Sequence, residues 1–297
     1  MKKIIFKGCG TAIITPFDKK GINFKEFKKL IEFQITNNAD SIIVCGTTGE
    51  SSTMTTDEKK SLIKFTVDVV NNRIPVIAGT GGNCTKSVIE MSKYAESIGV
   101  DGVLIVTPYY NKTTQKGLIS HYTLIANSIN VPIILYNVPS RTGLNIAPHT
   151  CFELSKIKNI VAIKEASGDI SQIAKIANLC ADNMYIYAGN DDQIVPTLSL
   201  GGIGAISVLS NIFPNNIHEM IKNFNNGNIS KSTKMQLQSL NLISALFSEV
   251  NPIPVKYACN TIGFDVGIPR LPLVEMSDNG KISLENEIKK FLVSRGG

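Results

Sequence analysis

One apolar stretch of the chain contains a lysine that could act as a nucleophile. It runs Val161-Ala-Ile-Lys-Glu-Ala-Ser-Gly-Asp169, and its first residues have the pattern of a buried strand that ends before a new helix. Because side chains alternate along a strand, Lys164 shares a face with Ala162 and Ala166. The opposite face carries Val161, Ile163 and Glu165. If the lysine face lines the inside of a barrel, the two alanines leave open space around the amine.

Burial among apolar walls disfavours the charged form of a lysine and frees an amine that can attack a carbonyl. The alternative is that Lys164 lies at a strand end, where its ammonium reaches solvent or pairs with Glu165. The groups at the neighbouring strand ends bear on the choice between these two interpretations.

Four other stretches place polar side chains or glycines where predicted strands end. They are Gly46-Thr-Thr-Gly-Glu50, Thr107-Pro-Tyr-Tyr-Asn111, Tyr136-Asn-Val-Pro-Ser-Arg-Thr-Gly143 and Ala188-Gly-Asn-Asp191. The paired glycines of the first stretch permit a tight turn that brings hydroxyls and amides near a ligand, although an ordinary capped turn would have the same pattern. In the last stretch, Gly189 would allow close approach of the backbone.

The tyrosines and the arginine of these stretches suit further tasks. Tyr136 could be a phenolic acid–base, and Arg141 could bind a carboxylate through two hydrogen bonds, although a surface arginine in a turn is equally compatible. Of Tyr109 and Tyr110, one could cover the core while the other faces solvent or a partner subunit. An amine, phenols, hydroxyls and one guanidinium together suit Schiff-base chemistry on a small keto acid, in which the iminium withdraws electrons and a phenol moves protons.

Eight apolar, strand-like runs separated by amphipathic segments would have to position these groups. The runs are Thr11–Thr15, Ser41–Cys45, Pro75–Gly79, Gly102–Thr107, Pro132–Tyr136, Ile160–Lys164, Met184–Ala188 and Gly204–Leu209. This alternation is the pattern of repeated βα units and predicts a closed (β/α)8 TIM barrel, with functional residues at the carboxyl ends of the strands. A doubly wound sheet is the rival architecture, but Gly79-Thr-Gly-Gly82 does not have the spacing of its dinucleotide-binding turn.

The helical segments have amphipathic patterns, and several of them follow the last strand. The early helices are predicted over Asn23–Asn37, over Asp57–Asn71 after an N-cap at Thr56, and over Thr85–Ile98. The late helices are predicted over Ile229–Glu249, Pro254–Thr261 and Leu284–Val293. We therefore predict a barrel over residues 1–225 and a helical extension packed on it over residues 226–297.

Composition and charge argue against several classes of function. The net charge of +6 comes from 30 basic and 24 acidic residues, with no long basic block and no tryptophan, which argues against a nucleic-acid groove. Six dispersed cysteines without a Cys-x-x-Cys pair argue against a zinc site or a disulfide framework and favour a reducing cytoplasm. The apolar part of the charged opening Met1-Lys-Lys-Ile-Ile-Phe-Lys7 is too short for a signal peptide, and no run is long enough to cross a membrane.

The three histidines, His121, His149 and His218, are too far apart in sequence to form a cluster. A metal-dependent aldolase or a Ser-His-Asp hydrolase would need such a cluster. We therefore expect acid–base work to fall to tyrosine, lysine or carboxylate, with no metal and no cofactor.

These motifs, in this order, resemble those of the dihydrodipicolinate synthase family, also called the 4-hydroxy-tetrahydrodipicolinate synthases. The resemblance rests on Gly46–Glu50, Tyr109-Tyr110-Asn111, Tyr136–Gly143 and Val161–Asp169, and it extends over nearly the whole chain to Pro269-Arg-Leu-Pro272. The wider group is the pyruvate-dependent class I aldolase superfamily, which also contains N-acetylneuraminate lyase.

The resemblance implies condensation of pyruvate with L-aspartate 4-semialdehyde on the route to diaminopimelate and lysine. It implies that Lys164 forms an imine with pyruvate and that a relay of hydroxyls moves protons. The relay would consist of Tyr136, Thr47 and Tyr110, the last of which would reach the site of a neighbouring subunit. The implied substrate contacts are Thr48 with the pyruvate carboxylate, Arg141 with the carboxylate of the aldehyde, and the backbone of Gly189 and Ile206. The implied assembly is a homotetramer built from tight dimers.

The resemblance also implies an effector pocket at the dimer interface, where this chain departs from lysine-inhibited members. Positions that carry histidines and a glutamate in those members are Thr56, Lys59 and Ser87 here. Other positions of the pocket keep Ser51, Asn83 and Tyr109. Loss of a carboxylate that would pair with the effector's ammonium, together with an added cation, predicts little or no inhibition by lysine.

Three alternatives stay open at the level of sequence. N-acetylneuraminate lyase and the keto-deoxy sugar acid aldolases resemble the chain at the lysine and the tyrosine, but they usually lack an arginine at the position of Arg141. A barrel that binds pyruvate without turning it over is a second alternative, and the intact Lys164 and tyrosines speak against it. A pyridoxal phosphate enzyme would also use a lysine, but the sequence offers no phosphate-binding loop for that cofactor.

Overall fold

A closed barrel of parallel strands forms the centre of the computed structural model, which describes residues 2–295. The strands are β1 (Gly8–Ala12), β2 (Ser41–Val44), β3 (Val76–Gly79), β4 (Gly102–Val106), β5 (Ile133–Asn137), β6 (Ile160–Glu165), β7 (Tyr185–Ala188) and β8 (Gly204–Ser207). Each strand pairs in parallel with its neighbours in sequence, and β8 closes the barrel on β1. The predicted (β/α)8 barrel is confirmed, and an open doubly wound sheet is excluded.

The strands are apolar on both faces because each separates two cores. In β2, Ile43 packs into the barrel interior, whereas Ile42 and Val44 pack outward against the helices. Strands buried on both sides are expected to form continuous apolar runs rather than to alternate with polar residues. This is why runs such as Ser41–Cys45 located the strands to within one or two residues at most positions.

The first strand is an exception, because it begins at Gly8 and not at Thr11 as predicted. The predicted run, Thr11–Thr15, left out the glycines that precede it. Both glycines lie inside the barrel wall, where there is no room for a side chain. A Cβ at Gly10 would lie 2.6 Å from the ring of Phe6 and 2.8 Å from Ile43, and Gly8 has a φ of +105°. Close packing therefore requires glycine at these positions, and a search for apolar runs misses a strand that begins with glycines.

Nine helices lie between the strands or directly after the last of them, within residues 2–295. They are α1 (Phe24–Thr36), α2 (Thr56–Val70), α3 (Thr85–Ser97), α4 (Gln115–Ala126), α5 (Pro139–Thr142), α6 (Pro148–Ser155), α7 (Ile170–Cys180), α8 (Ile194–Ser199) and α9 (Pro214–Asn225). A short antiparallel hairpin pairs Phe17–Asp18 with Gly21–Ile22 after β1. The predicted N-cap Thr56 is wrong by one residue, because Thr55 caps α2 in a reciprocal capping box with Glu58.

Three further helices form the carboxyl-terminal part of the chain. They are α10 (Ile229–Leu246), α11 (Ile253–Thr261) and α12 (Asp278–Arg295). α10 ends before the predicted Glu249. α12 begins before the predicted Leu284, and Ser277, the residue before this helix, accepts a hydrogen bond from the backbone amide of Gly280 in the first turn of α12. α9 ends at Asn225, so the predicted boundary falls between helices, although the division into two units stays a prediction.

The segment before β1 fills the amino-terminal end of the barrel. Ile5 and Phe6 belong to the interior core, and the ring of Phe6 stacks on Tyr187 with 4.5 Å between centroids. The Tyr187 hydroxyl donates a hydrogen bond of 2.7 Å to the carbonyl of Phe6. This leaves the opposite end, where the strands finish, for a site. Within residues 2–295, none of the helices has both the length and the apolar character needed to cross a membrane.

Candidate active site

Lys164 and Tyr136 lie side by side in the barrel interior. Tyr136 on β5 and Lys164 on β6 are direct register partners. Tyr136 is 7% exposed and Lys164 is 5% exposed. The Lys164 Nζ lies 4.4 Å from the centre of the Tyr136 ring. Ala162 and Ala166 line the same interior, as alternation along the strand predicts. The sequence alternative in which Lys164 reaches bulk solvent does not fit this burial.

Val161 is a correction to the predicted strand faces. Alternation placed it opposite Lys164, on the face of Ile163, but it packs in the barrel interior. The ladder between β5 and β6 pairs Ile133 with Ile160 and then Ile134 with Ala162, so the register skips Val161. A bulge of this kind shifts one residue to the other face, and no residue type or spacing within Val161–Asp169 indicates it.

Glu165 faces away from Lys164 and ties the ends of β5 and β6 together. Its carboxylate accepts hydrogen bonds from Asn137 Nδ2 at 3.0 Å, from the backbone amide of Ser167 at 2.7 Å and from Gln172 Nε2 at 3.2 Å. Burial raises the pKa of Glu165, and these hydrogen bonds act against that rise. The network fixes the two strand ends that carry Tyr136 and Lys164.

The loop after β2 carries Thr47 and Thr48 between two strained backbone positions. Cys45 and Glu50, which flank the two threonines, have φ values of +57° and +56°, a region that non-glycine residues rarely adopt. Thr48 is buried and its hydroxyl accepts a hydrogen bond of 3.0 Å from Asn251 Nδ2, while Thr47 is half-buried. The strained turn therefore presents two hydroxyls at the carboxyl end of β2.

Asn251 links this loop to Arg141. The guanidinium of Arg141 is exposed on α5 and donates a hydrogen bond of 3.2 Å to the Asn251 carbonyl. The Asn251 Oδ1 is buried and has no hydrogen-bond partner, which leaves an acceptor free beside Thr48. Sequence reasoning missed Asn251, because it lies 203 positions from Thr48 in a segment with no motif.

Gly189 directly follows β7, and Ile206 lies on β8, the two strands that come after β6 around the barrel. A Cβ at Gly189 would lie 2.6 Å from Ala166 and 2.8 Å from the carbonyl of Glu165, so only glycine fits beside the end of β6. Ile206 is fully buried in the interior core on β8. Both predicted backbone positions therefore lie in the wall around the interior that holds Lys164.

Asp191 is a buried carboxylate that the sequence did not single out for chemistry. Its Oδ2 accepts hydrogen bonds from the backbone amides of Val208 at 3.0 Å and Leu209 at 2.8 Å. Burial raises the pKa of Asp191, while the hydrogen bonds and the nearby Lys164 amine oppose that rise. Asp191 thus fixes the loop after β8 and contributes negative potential near the amine.

Tyr110 is placed differently from the other candidate residues. Its side chain is 92% exposed and its φ is +69°, whereas Tyr109 is 38% exposed. Asn111 holds the loop by donating a hydrogen bond of 2.9 Å from Nδ2 to the carbonyl of Asn83. In a single chain, Tyr110 lies on the surface, apart from the buried Lys164 and Tyr136.

The six residues of the predicted effector pocket all line one cavity of about 340 Å³. They are Ser51, Thr56, Lys59, Asn83, Ser87 and Tyr109. Lys59 and Lys60 both contribute to its lining, as do Cys84 and Glu90. The lining therefore carries two ammonium groups, from Lys59 and Lys60, beside one carboxylate, from Glu90.

The chemical inventory of the barrel mouth is an amine, a phenol, hydroxyls and a guanidinium. Among residues 2–295, no three His, Cys, Asp or Glu side chains come together in a way that could hold a metal ion. The residues present can form an imine with a ketone, move protons through hydroxyl groups and bind a carboxylate.

A family model, named relatives and solved structures all indicate the same protein family. The model of the dihydrodipicolinate synthetase family matches residues 5–291. The chain is 58% identical over 287 residues to 4-hydroxy-tetrahydrodipicolinate synthase 1 of Clostridium acetobutylicum, covering 97% of this chain and 98% of that protein. A protein named 4-hydroxy-tetrahydrodipicolinate synthase from Clostridium perfringens is 57% identical over 285 residues, with coverage of 96% and 98%.

Solved structures resemble the chain over the same length. The crystal structure of the chloride-inhibited dihydrodipicolinate synthase from Acinetobacter baumannii, complexed with pyruvate, has a TM-score of 0.94 and 39% identity, covering 97% of this chain and 99% of that one. The dihydrodipicolinate synthase of Thermotoga maritima has a TM-score of 0.95 and 41% identity, with coverage of 97% and 99%. Both similarities extend well beyond a shared barrel.

Proposed function

Because the chain belongs to the dihydrodipicolinate synthetase family, we infer that it condenses pyruvate with L-aspartate 4-semialdehyde to form 4-hydroxy-tetrahydrodipicolinate. It is a lyase of the class I aldolase type that acts in the synthesis of diaminopimelate and lysine. The observation that carries the mechanism is the buried amine of Lys164, which lies 4.4 Å from the centre of the Tyr136 ring.

Lys164 is the nucleophile of the first step. Its neutral Nζ attacks the ketone carbon of pyruvate, water leaves, and a carbon–nitrogen double bond joins lysine and substrate. The iminium then withdraws electrons, so that a proton leaves the pyruvate methyl group and the resulting enamine carbon attacks the aldehyde. The aldehyde oxygen takes up a proton and remains as the hydroxyl of the product. The amino group of the aldehyde substrate then attacks the imine carbon, which closes the ring, and the bond from that carbon to Lys164 Nζ breaks to release the product and free the lysine.

Hydroxyl groups move the protons, and the rim binds the carboxylates. Tyr136, whose ring lies beside the amine, donates and accepts protons, and Thr47 and Tyr110 complete the relay. Thr48 binds the carboxylate of pyruvate, and Gly189 and Ile206 shape its pocket through their backbone. Arg141 binds the carboxylate of the aldehyde; its exposed position at the mouth suits the substrate that arrives second.

The active assembly is a tetramer made of two tight dimers, and each dimer exchanges Tyr110 between its sites. The high exposure and left-handed backbone of Tyr110 support this arrangement, because a phenol held outward can enter a neighbouring subunit. The compartment is the cytoplasm. Six unpaired cysteines, five of them buried, suit a reducing environment.

Trapping of the imine tests this function. Borohydride added with pyruvate should reduce the imine and leave a covalent adduct on Lys164, which mass spectrometry of the digested protein would detect. Lys164→Ala should lose both the adduct and the consumption of aspartate semialdehyde. Wild-type protein whose Lys164 stays unmodified under these conditions would contradict the mechanism. Turnover of N-acetylneuraminate in place of aspartate semialdehyde would contradict the substrate assignment.

A further inference from the structure

Glu50 ends the loop that carries Thr47 and Thr48, and it forms a buried ion pair with the carboxyl-terminal helices. The Lys256 Nζ on α11 lies 2.8 Å from Glu50 Oε1, and the two side chains are 1% and 0% exposed. The second carboxylate oxygen accepts a hydrogen bond of 2.9 Å from the backbone amide of Arg270. Both oxygens of one loop residue are therefore held by groups from beyond α10.

The loop needs such an anchor because its backbone is strained. Glu50 adopts a left-handed conformation that a residue with a side chain enters only when the surrounding structure holds it there. Lys256 is itself fixed by a second hydrogen bond of 3.1 Å, to the carbonyl of Ile268. The ring of Phe17, 4.4 Å from the Lys256 Nζ, covers the ammonium from another side.

Stability alone does not account for charges at this place. A buried ion pair is a weak source of stability, because an apolar pair of similar volume often serves as well. It does impose one geometry, since both the carboxylate and the ammonium must keep their partners. Burial lowers the pKa of Lys256, and Glu50 opposes that shift.

We propose that the Glu50–Lys256 ion pair is a positioning device, through which the carboxyl-terminal helices align Thr48 with Lys164 for the binding of pyruvate. The proposal rests on the proposed function, since it takes Thr48 as the contact of the pyruvate carboxylate. The hydrogen bond from Asn251 to Thr48 acts in the same direction, because it also joins the loop to the segment before α11. Glu50 and Lys256 do not touch substrate in this scheme.

The test replaces both charges at once. Lys256→Met alone leaves the Glu50 carboxylate buried without its partner, so the double variant Glu50→Gln/Lys256→Met is the informative one. It should retain a melting temperature near that of wild type while its Kd and KM for pyruvate rise about ten- to a hundredfold, since small misplacements of positioning groups cost about that much. The KM for the aldehyde should change less, because Arg141 lies outside the loop.

Two further variants keep the test decisive. Tyr257→Phe is the matched control, because Tyr257 is the next residue on α11 and donates its hydroxyl to Glu285, away from the loop. It should leave the Kd for pyruvate unchanged. Glu50→Asp keeps the charge but shortens the reach, and it should raise the Kd for pyruvate even if the double variant does not fold.

The proposal is overturned if a folded double variant, or Glu50→Asp, binds pyruvate as tightly as the wild type. Calorimetric binding of pyruvate is measured without the aldehyde. A wild-type protein that binds pyruvate and does not consume aspartate semialdehyde would therefore contradict the proposed function alone. The Kd for pyruvate of each variant, divided by that of the wild type, would still test the role of the ion pair.

Discussion

The pairing of Lys164 with Tyr136 depends on the register of two neighbouring strands. Both residues face inward because β5 and β6 align them as direct partners. A shift of one residue in either strand would turn its side chain to the helical face and separate the amine from the phenol. The Glu165 network, with its hydrogen bonds to Asn137 and Gln172, opposes such a shift from the other face.

Removal of the Tyr136 hydroxyl tests the relay at the level of one atom. Tyr136→Phe keeps the ring beside Lys164, so imine formation with pyruvate should still be detectable by borohydride. We expect kcat to fall by about 10²–10⁴-fold, the usual contribution of a positioned acid–base group. Steady-state kinetics with both substrates would measure this loss.

Tyr185→Phe provides the matched control for that measurement. Tyr185 is half-buried on β7, and its hydroxyl donates to the carbonyl of Lys2 near the amino-terminal end of the barrel. Its loss should leave kcat within a factor of about two, because the hydroxyl lies away from the strand ends that carry the site. A Tyr136→Phe variant as active as Tyr185→Phe would remove Tyr136 from the relay.

The effector cavity leads to a prediction about regulation by lysine. An added lysine would bring its ammonium groups near Lys59 and Lys60, where Glu90 supplies one carboxylate against two cations. We expect little or no inhibition by lysine in a steady-state assay. Ser87→Glu adds a second carboxylate to the cavity and should increase the inhibition. Half-inhibition of the wild type at sub-millimolar lysine would show that the cavity accepts the effector after all.

At the level of elements, apolar runs were sufficient to locate most strands and helices. They failed where close packing, not hydrophobicity, determines the residue type. Gly8 and Gly10 are glycines within a strand because neighbouring side chains leave no room for a Cβ. The bulge at Val161 follows from the register with β5. Neither constraint is visible in a single sequence, because both depend on residues distant along the chain.

The residues of the candidate site also fall into two groups, those that local sequence motifs predict and those that only tertiary contacts reveal. Lys164, Tyr136 and Thr48 belong to local motifs whose residue types and turn signals could be recognised in sequence. Asn251 and Lys256 could not be predicted, since each meets its partner across more than 200 positions. Sequence patterns identify groups that carry chemistry, whereas the groups that hold them depend on tertiary contacts.

The segment after α11 is joined to α2 by a second ion pair, whose pH dependence can be predicted. The Arg270 guanidinium donates to both carboxylate oxygens of Glu58, at 2.7 and 3.0 Å, and holds the pKa of Glu58 below its ordinary value of 4.5. A carboxyl with a lowered pKa in the folded state stabilises the fold above its ordinary pKa. That stability is lost as the pH falls through the lowered value.

Glu58→Gln should therefore reduce the free energy of unfolding by about 1 kcal/mol at pH 7, the upper range for partly exposed pairs. The difference from wild type should shrink below pH 4.5 and disappear in strong acid. Urea unfolding at a series of pH values would measure it. Asp68→Asn removes the exposed pair with Lys64 and should have almost no effect. A difference for Glu58→Gln that stays constant with pH would exclude the ion pair as its cause.

At the level of the whole molecule, one chain does not bring all the predicted relay residues together. Lys164 and Tyr136 are buried inside the barrel, while Tyr110 is almost fully exposed on the loop after β4. A left-handed backbone at a large aromatic residue is uncommon and costs stability, so a loop that holds Tyr110 outward needs a reason. Completion of a neighbouring site by that phenol would supply one.

Mixing of two inactive variants tests this exchange. Lys164→Ala lacks the nucleophile and Tyr110→Phe lacks the exchanged hydroxyl, but a dimer with one subunit of each contains one complete site. After dissociation and reassociation, an equal mixture should regain about a quarter of wild-type activity, because half of the random dimers are mixed and each has one intact site of two. Lys164→Ala mixed with Tyr136→Phe is the control: both residues come from the same chain, so no complete site can form and no activity should return. Recovery in neither mixture would place the Tyr110 hydroxyl in the site of its own subunit, and a Tyr110→Phe variant that is active before mixing would place Tyr110 outside the relay.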